Sequence, residues 1–268
     1  VKKTQLPFVV ISVCGIALIL FCLFGSQLTP MDPTQVNMQD RLQKSTGDHW
    51  LGTDHLGRDL FSRIVAGAQT TIGTSFLVLA LSLLIGVPVG LVSAYIGGKI
   101  DRFLMRIVDA FLAFPDYIAA IVLSGLLGPG LFNLIAAMVI VKWVSYARVV
   151  RSIVLQEKSK EYVLVAKLNG VGTLPLILRH FLPHVGGHIL VLATLDIGKI
   201  ILMMASLSYI GLGTQPPTPE WGTMLNEGRA YFYNAPQLML IPGVAIILFV
   251  LAFTALGEYI RGKYQVNQ

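Results

Sequence analysis

The chain has 268 residues, 54% of them apolar and only 13% charged, with a formal net charge of +6. Soluble domains carry roughly a quarter charged residues, so this composition, with a mean hydropathy of +0.71, belongs to a membrane protein. The basic residues gather in a few loops, as membrane topology requires, which argues against a nucleic-acid partner.

Lys2 and Lys3 precede the apolar run 8–24, which as a helix is roughly 26 Å long and just spans a bilayer core. No small-x-small cleavage site follows it, so it reads as a retained anchor. Its two cysteines, Cys14 and Cys22, stand about 12 Å apart along such a helix, too far for a disulfide within it, and read as packing residues.

The segment 26–70 is too polar to span. Within it Gly52 and Gly57 permit tight turns around Asp54, Arg58 and Asp59, and the plain reading is a salt-bridged loop that caps the next span. Further spans are expected at 71–95, with Gly86-Val-Pro-Val-Gly90 as a kink, and at 107–127, interrupted at Phe114-Pro115-Asp116. Three more follow at 131–146, 185–209 and 238–256. Six spans put both termini on one side. With the termini inside, the inner segments hold thirteen Lys and Arg residues and the outer segments five, and the positive-inside rule selects that orientation. Lys142, in the fourth span, is expected to snorkel to the inner face.

Between the fourth and fifth spans lies the most informative stretch, 161–183. Glu161 to Leu168 favours helix, and Asn169-Gly170 is a stop, since both residues tolerate a left-handed backbone. Thr173 is placed to cap a second short helix with Pro175 in its first turn, and Pro183 marks the boundary with the next membrane helix. Two short helices meeting at a glycine elbow on an inner face imply something that pushes on them.

Candidate chemistry is sparse. Gly97-Gly98-Lys99 lacks the spacing of a phosphate-binding loop, and no serine has a His–carboxylate partner in view, so the chain is not expected to be an enzyme by itself. His180, His184 and His188 recur every four residues, a spacing that would align three imidazoles on an unbroken helix, but Pro183 interrupts it; no metal site is assigned there. His49 and His55 face outward in the polar loop. Asp196 and Lys199 fall inside the fifth apolar span, where charges are rare and face a protein interior or a wet cavity. Their i, i+3 spacing fits either an ion pair or a pathway lining. Met203 and Met204 read as filling.

Three stretches carry a family resemblance. The coupling stretch, through Val165, Ala166, Gly170, Leu182 and Pro183, resembles the cytoplasmic loop with which ABC importer permeases dock into a groove on their ATPase subunits. It departs from that pattern at the acidic position, here Leu164, and at an expected Ile, here His180. The stretch Leu51-Gly-Thr-Asp-His-Leu-Gly-Arg-Asp59, with Gly52, Asp54, Arg58 and Asp59, is similar to a signature of the nickel and peptide branch of these permeases, as is Leu212 to Gly222. The resemblance covers nearly the whole chain. The acid at Asp196 and the loss of one at Leu164 resemble the nickel-type permeases more than the peptide-type ones.

The resemblance implies an all-α membrane protein with six transmembrane helices and the type I importer permease fold. An anchor and extracytoplasmic loop would occupy 1–68, the permease domain 69–260 and a cytoplasmic tail 261–268. It further implies half of a pore in a prokaryotic cell membrane, completed by a second homologous permease. An extracytoplasmic solute-binding protein would deliver nickel, free or chelated, or else di- or oligopeptides. Two ATPase subunits would bind the ATP and Mg; no cofactor is expected on this chain. The rival readings are a secondary transporter, which would favour inverted repeats, and a membrane scaffold, which would not need the elbow at Gly170.

Overall fold

A computed structural model describes Gly25 and residues 29–266. The anchor expected at 8–24, with Cys14 and Cys22, lies outside the described residues. In chain order the helices are α1 Leu60–Ile96, α2 Gly98–Leu112, α3 Asp116–Leu127, α4 Leu131–Lys158, α5 Glu161–Leu168, α6 Thr173–Leu176, α7 Leu182–Tyr209, α8 Trp221–Gly228 and α9 Gln237–Val266. Four stretches are long and apolar enough to cross a membrane, namely α1, α4, the run Thr173–Tyr209 and α9; the bent pair α2–α3 makes up to five.

Helix α1 starts where the sequence supplies a cap. The Asp59 carboxylate accepts the Ser62 N–H at 2.7 Å, which satisfies one of the donors a helix start leaves open and is worth about 1 kcal/mol. The expected kink at Gly86-Val-Pro-Val-Gly90 is instead part of one 37-residue helix that runs through Pro88. The two glycines serve helix packing: a Cβ on Gly86 would stand 2.6 Å from the Trp143 carbonyl oxygen, and one on Gly90 would stand 2.5 Å from that of Ala147. Helix α4 therefore lies directly against the α1 backbone, the close approach that small residues permit in membranes.

The interruption foreseen at Phe114-Pro115-Asp116 is a full break. Helices α2 and α3 meet at 89°. Asp116, freed at the start of α3, takes the Lys142 ammonium at 3.2 Å. Lys142 is buried in α4 and does not snorkel; the Asp116 carboxylate offsets part of the cost of desolvating its ammonium.

Helices α1, α4, α7 and α9 enclose a core that includes Leu134, Met138, Ile197, Ile200 and Met204, with Trp221 of α8 inserted from one end. The Trp221 indole donates to the Ile64 carbonyl at 2.9 Å and meets the Phe249 ring at 5.2 Å. Met203 and Met204 are buried filling. Outward, α3, α4 and α9 expose Leu126, Phe132, Leu248 and Leu251, apolar surface that only lipid or another apolar chain covers favourably. The bundle has two poles. One holds the 29–59 loop and α8; the other holds the ends of α1 and α4 with α5 and α6.

Candidate functional site

At the first pole a buried charge network assembles around the residues of the Gly-Thr-Asp stretch. Gly52 and Gly57 take φ of +79° and +73°, and the Asp54 carboxylate accepts the Leu56 and Arg58 N–H groups across the turn they make. Its second oxygen receives Arg58 Nε at 2.6 Å and Arg63 Nε at 3.3 Å. Both guanidinium groups also reach Glu227 at the end of α8, at 3.2 Å and 2.7 Å. Two cations face two carboxylates, all largely buried, and removing any one would strand its partner at a cost of about 3–5 kcal/mol. Asp59 is not in that network: it caps α1 and holds His49 at 3.0 Å. His55 stacks on Tyr231 at 5.3 Å, and burial holds its imidazole below the ordinary value. The network locks the loop, α1 and α8 into one rigid cap.

At the opposite pole the elbow forms as its residues dictate. Gly170 adopts φ of +78°, and the Val171 N–H bonds the Ala166 carbonyl at 3.0 Å, the closing bond of a left-handed helix stop. Val163, Leu176 and Phe181 are buried in the bundle and anchor the loop, with Ala166 half-buried beside them. The outer side is apolar and open: Leu164, Val165, Leu168, Leu174 and Leu178 are all exposed. Leu164, where an acid was expected, belongs to this apolar surface.

Two expectations are corrected here. Thr173 does not cap the second helix; the helix starts from Gly172, and the Thr173 hydroxyl accepts the Tyr95 O–H at 2.8 Å. Pro183 does not separate the short helix from the membrane helix, because Thr173–Tyr209 runs as one 37-residue helical stretch. A proline leaves the carbonyl four residues earlier without its donor. The chain accommodates this with a π turn over Ile177–Phe181, in which the Leu182 N–H reaches back to Ile177. Leu182 and Pro183 sit in the first turn of α7, exposed.

Glu157, near the end of α4, ties this loop to the bundle. Its buried carboxylate takes the Tyr162 O–H at 2.5 Å, Lys160 Nζ at 2.9 Å and His184 Nε2 at 3.0 Å. One residue thus joins α4, α5 and α7. Burial and that bond push the Tyr162 hydroxyl up to about 12. Lys158 donates to the Ala94 and Tyr95 carbonyls at 3.2 and 2.9 Å, a cation on the last carbonyls of α1. The three histidines are not gathered at one point: His180 meets Tyr162, His184 bonds Glu157, and the His184 and His188 rings lie 5.3 Å apart.

Mid-bundle, Asp196 of α7 is buried and Lys199 is not. Lys199 Nζ stands 3.4 Å from Asp196 Oδ1, yet its side chain is 68% exposed. The second carboxylate oxygen accepts the Tyr146 O–H of α4 at 2.8 Å. A lysine open on the middle of an apolar helix needs a wet cavity or a polar neighbour.

Residues 86–265 match the family described as binding-protein-dependent transport system inner membrane component. The chain belongs to that family. Among its permeases this chain is 40% identical to the nickel transport system permease protein NikC of Escherichia coli K12, over 91% of the chain and 88% of that protein. It is 38% identical to the dipeptide permease protein DppC of Alkalihalophilus pseudofirmus, over 97% and 85%. It is also 38% identical to the glutathione permease protein GsiD of Pectobacterium atrosepticum, over 91% and 81%. The fold matches a chain of the inward-facing MetNI methionine ABC transporter with a TM-score of 0.60 at 19% identity, covering 74% of this chain and 95% of that one.

The chain is thus an ABC importer permease of the nickel and peptide type, a membrane subunit with no catalytic role of its own. Sequence reasoning missed several residues on which the permease structure depends. Glu227, Tyr146, Asp116 and Glu157 each close an ion pair or hydrogen bond across helices. Asp116 carried a signal, a carboxylate at a proline break facing a lysine in the next span. The other three carried none.

Proposed function

We propose that this permease forms half of a translocation pore for nickel, free or chelated. A second homologous permease completes the pore, an extracytoplasmic binding protein feeds it, and two ATPases that hold ATP and Mg drive it. The observation that carries this reading is the elbow at Gly170: a rigid, anchored projection whose outer face is apolar and uncovered among the described residues. Contiguous apolar surface at a membrane protein's polar end marks a docking site. ATP-driven closure of the ATPases would shift the permease between its two access states by binding one more tightly than the other. Val165, Ala166, Gly170, Leu182 and Pro183 form or support the docking element. Asp196 and Lys199 line the route, with Asp196 the negative group that a cation meets; Gly52, Asp54, Arg58 and Asp59 build the extracytoplasmic cap.

The substrate reading rests on the nickel relative and on the acid at Asp196. Peptides are the second reading, favoured by the dipeptide and glutathione relatives at nearly the same identity. The assembled transporter in liposomes, with ATP inside and the binding protein outside, separates these. The expected result is ATP-dependent accumulation of radioactive nickel that survives collapse of the proton gradient. Accumulation of a labelled dipeptide without nickel would move the substrate to the second reading. Loss of uptake on collapsing the gradient, with ATP intact, would overturn ATP-driven import.

A further inference from the structure

At the coupling pole, α2 carries three cations that the described chain does not answer. Lys99, Arg102 and Arg106 stand at i, i+3 and i+7, on one helix face, all exposed and lining one shallow groove with Phe103. Among the described residues no carboxylate pairs with any of the three, and Arg102 donates only to the Gly98 carbonyl, at 3.3 Å. Of the two acids of this helix, Asp101 is turned away and held by Arg151, while Asp109, one turn beyond Arg106, is taken by Arg148 of α4.

Those pairs also fix the depth of α2. Asp101 and Asp109 are about 12 Å apart along α2, whereas Arg151 and Arg148 are only about 4.5 Å apart along α4. Helix α2 therefore crosses the polar end of α4 obliquely, at the level where the apolar part of α4 gives way to charge. That is headgroup depth. Beside the cations Ile100 and Phe103 are exposed, as on a helix that lies with one face in acyl chains.

One turn beyond Arg106 the 89° elbow opens a notch of about 440 Å³. Ala110, Phe111, Phe114, Ile118 and Val122 line it, and every lining residue is apolar. A basic groove at headgroup depth that continues into an apolar notch has the polarity of a phospholipid. We propose that an anionic phospholipid occupies the α2–α3 elbow, its phosphate on Lys99, Arg102 and Arg106 and an acyl chain in the notch. Charge complementarity selects an anionic over a zwitterionic headgroup, because three cations without carboxylates gain from a net negative lipid.

The test uses the assembled transporter in nanodiscs of equal parts phosphatidylglycerol and phosphatidylcholine. A photoreactive residue is placed in the groove as Phe103→p-benzoylphenylalanine, and the adducts are identified by mass. The expected product is a lipid adduct enriched at least about threefold in phosphatidylglycerol. With Lys99→Gln, Arg102→Gln and Arg106→Gln combined, lipid adducts should persist while the enrichment falls to parity. Equal labelling of the two lipids without the triple substitution overturns the proposal whether or not the triple variant assembles. Adducts to an ATPase or to the second permease overturn it too, and would assign the surface to a protein.

Discussion

Asp196, buried in the bundle, has two polar neighbours, a hydroxyl and an ammonium. Tyr146 donates to one oxygen, while Lys199, largely exposed, pairs with the other at 3.4 Å. A buried pair would have both partners desolvated and mutually dependent. Here only the carboxylate is buried, and water around the exposed ammonium weakens the pair, which leaves part of the negative charge for a passing cation. Asp196→Asn isolates that charge, because the amide oxygen still accepts from Tyr146. Nickel uptake per assembled complex should fall about tenfold, a loss of about 1.4 kcal/mol of cation stabilisation, with assembly unchanged. Uptake within about twofold of the parent would leave Asp196 a structural hydrogen-bond acceptor and remove it from the pathway. A dipeptide assay in the same complexes shows whether the loss is specific to the cation.

Among the elements, the elbow between α5 and α6 takes its conformation from one glycine, Gly170 at φ of +78°. A Cβ on Gly170 would meet nothing within 4 Å, so substitution there is opposed by the backbone, not by crowding. The left-handed conformation costs an ordinary side chain about 1–2 kcal/mol, and a β-branched one more, whereas asparagine tolerates it. Gly170→Val should therefore reduce ATPase co-purification about fivefold or more at unchanged permease abundance, and Gly170→Asn should stay near the parent. Normal co-purification and transport with valine would show that this loop is not the docking element. The elbow was legible in advance because helix formers, Asn-Gly and prolines are local signals. The path of the chain after it was not. Pro183 reads as a boundary in sequence, but a π turn absorbs the lost hydrogen bond and keeps the stretch continuous. Gly86 and Gly90 read as a kink, but their role is set by α4, which local sequence does not reveal. Glu227 and Glu157 act across helices far apart in the chain, and no periodicity marks such pairs.

For the whole molecule, the decisive asymmetry is between the two poles. Lys99, Arg102, Arg106, Arg148, Arg151, Lys158 and Lys160 cluster at the coupling pole, against Arg41, Lys44, Arg58, Arg63 and Arg229 at the other. Basic residues resist translocation, so the coupling pole is expected in the cytoplasm and the buried cap outside. Asp54 itself is a poor reporter of this, since a substitution there would break the network. Val36, exposed beside the cap, and Ser159, exposed at the α4–α5 joint, report without disturbing it. In a background of Cys14→Ser and Cys22→Ser, Val36→Cys should react with a membrane-impermeant maleimide applied to spheroplasts. Ser159→Cys should react only after permeabilisation. Labelling of Ser159→Cys in sealed spheroplasts would invert the topology, place the elbow away from ATP, and remove the basis for ATPase docking at Gly170.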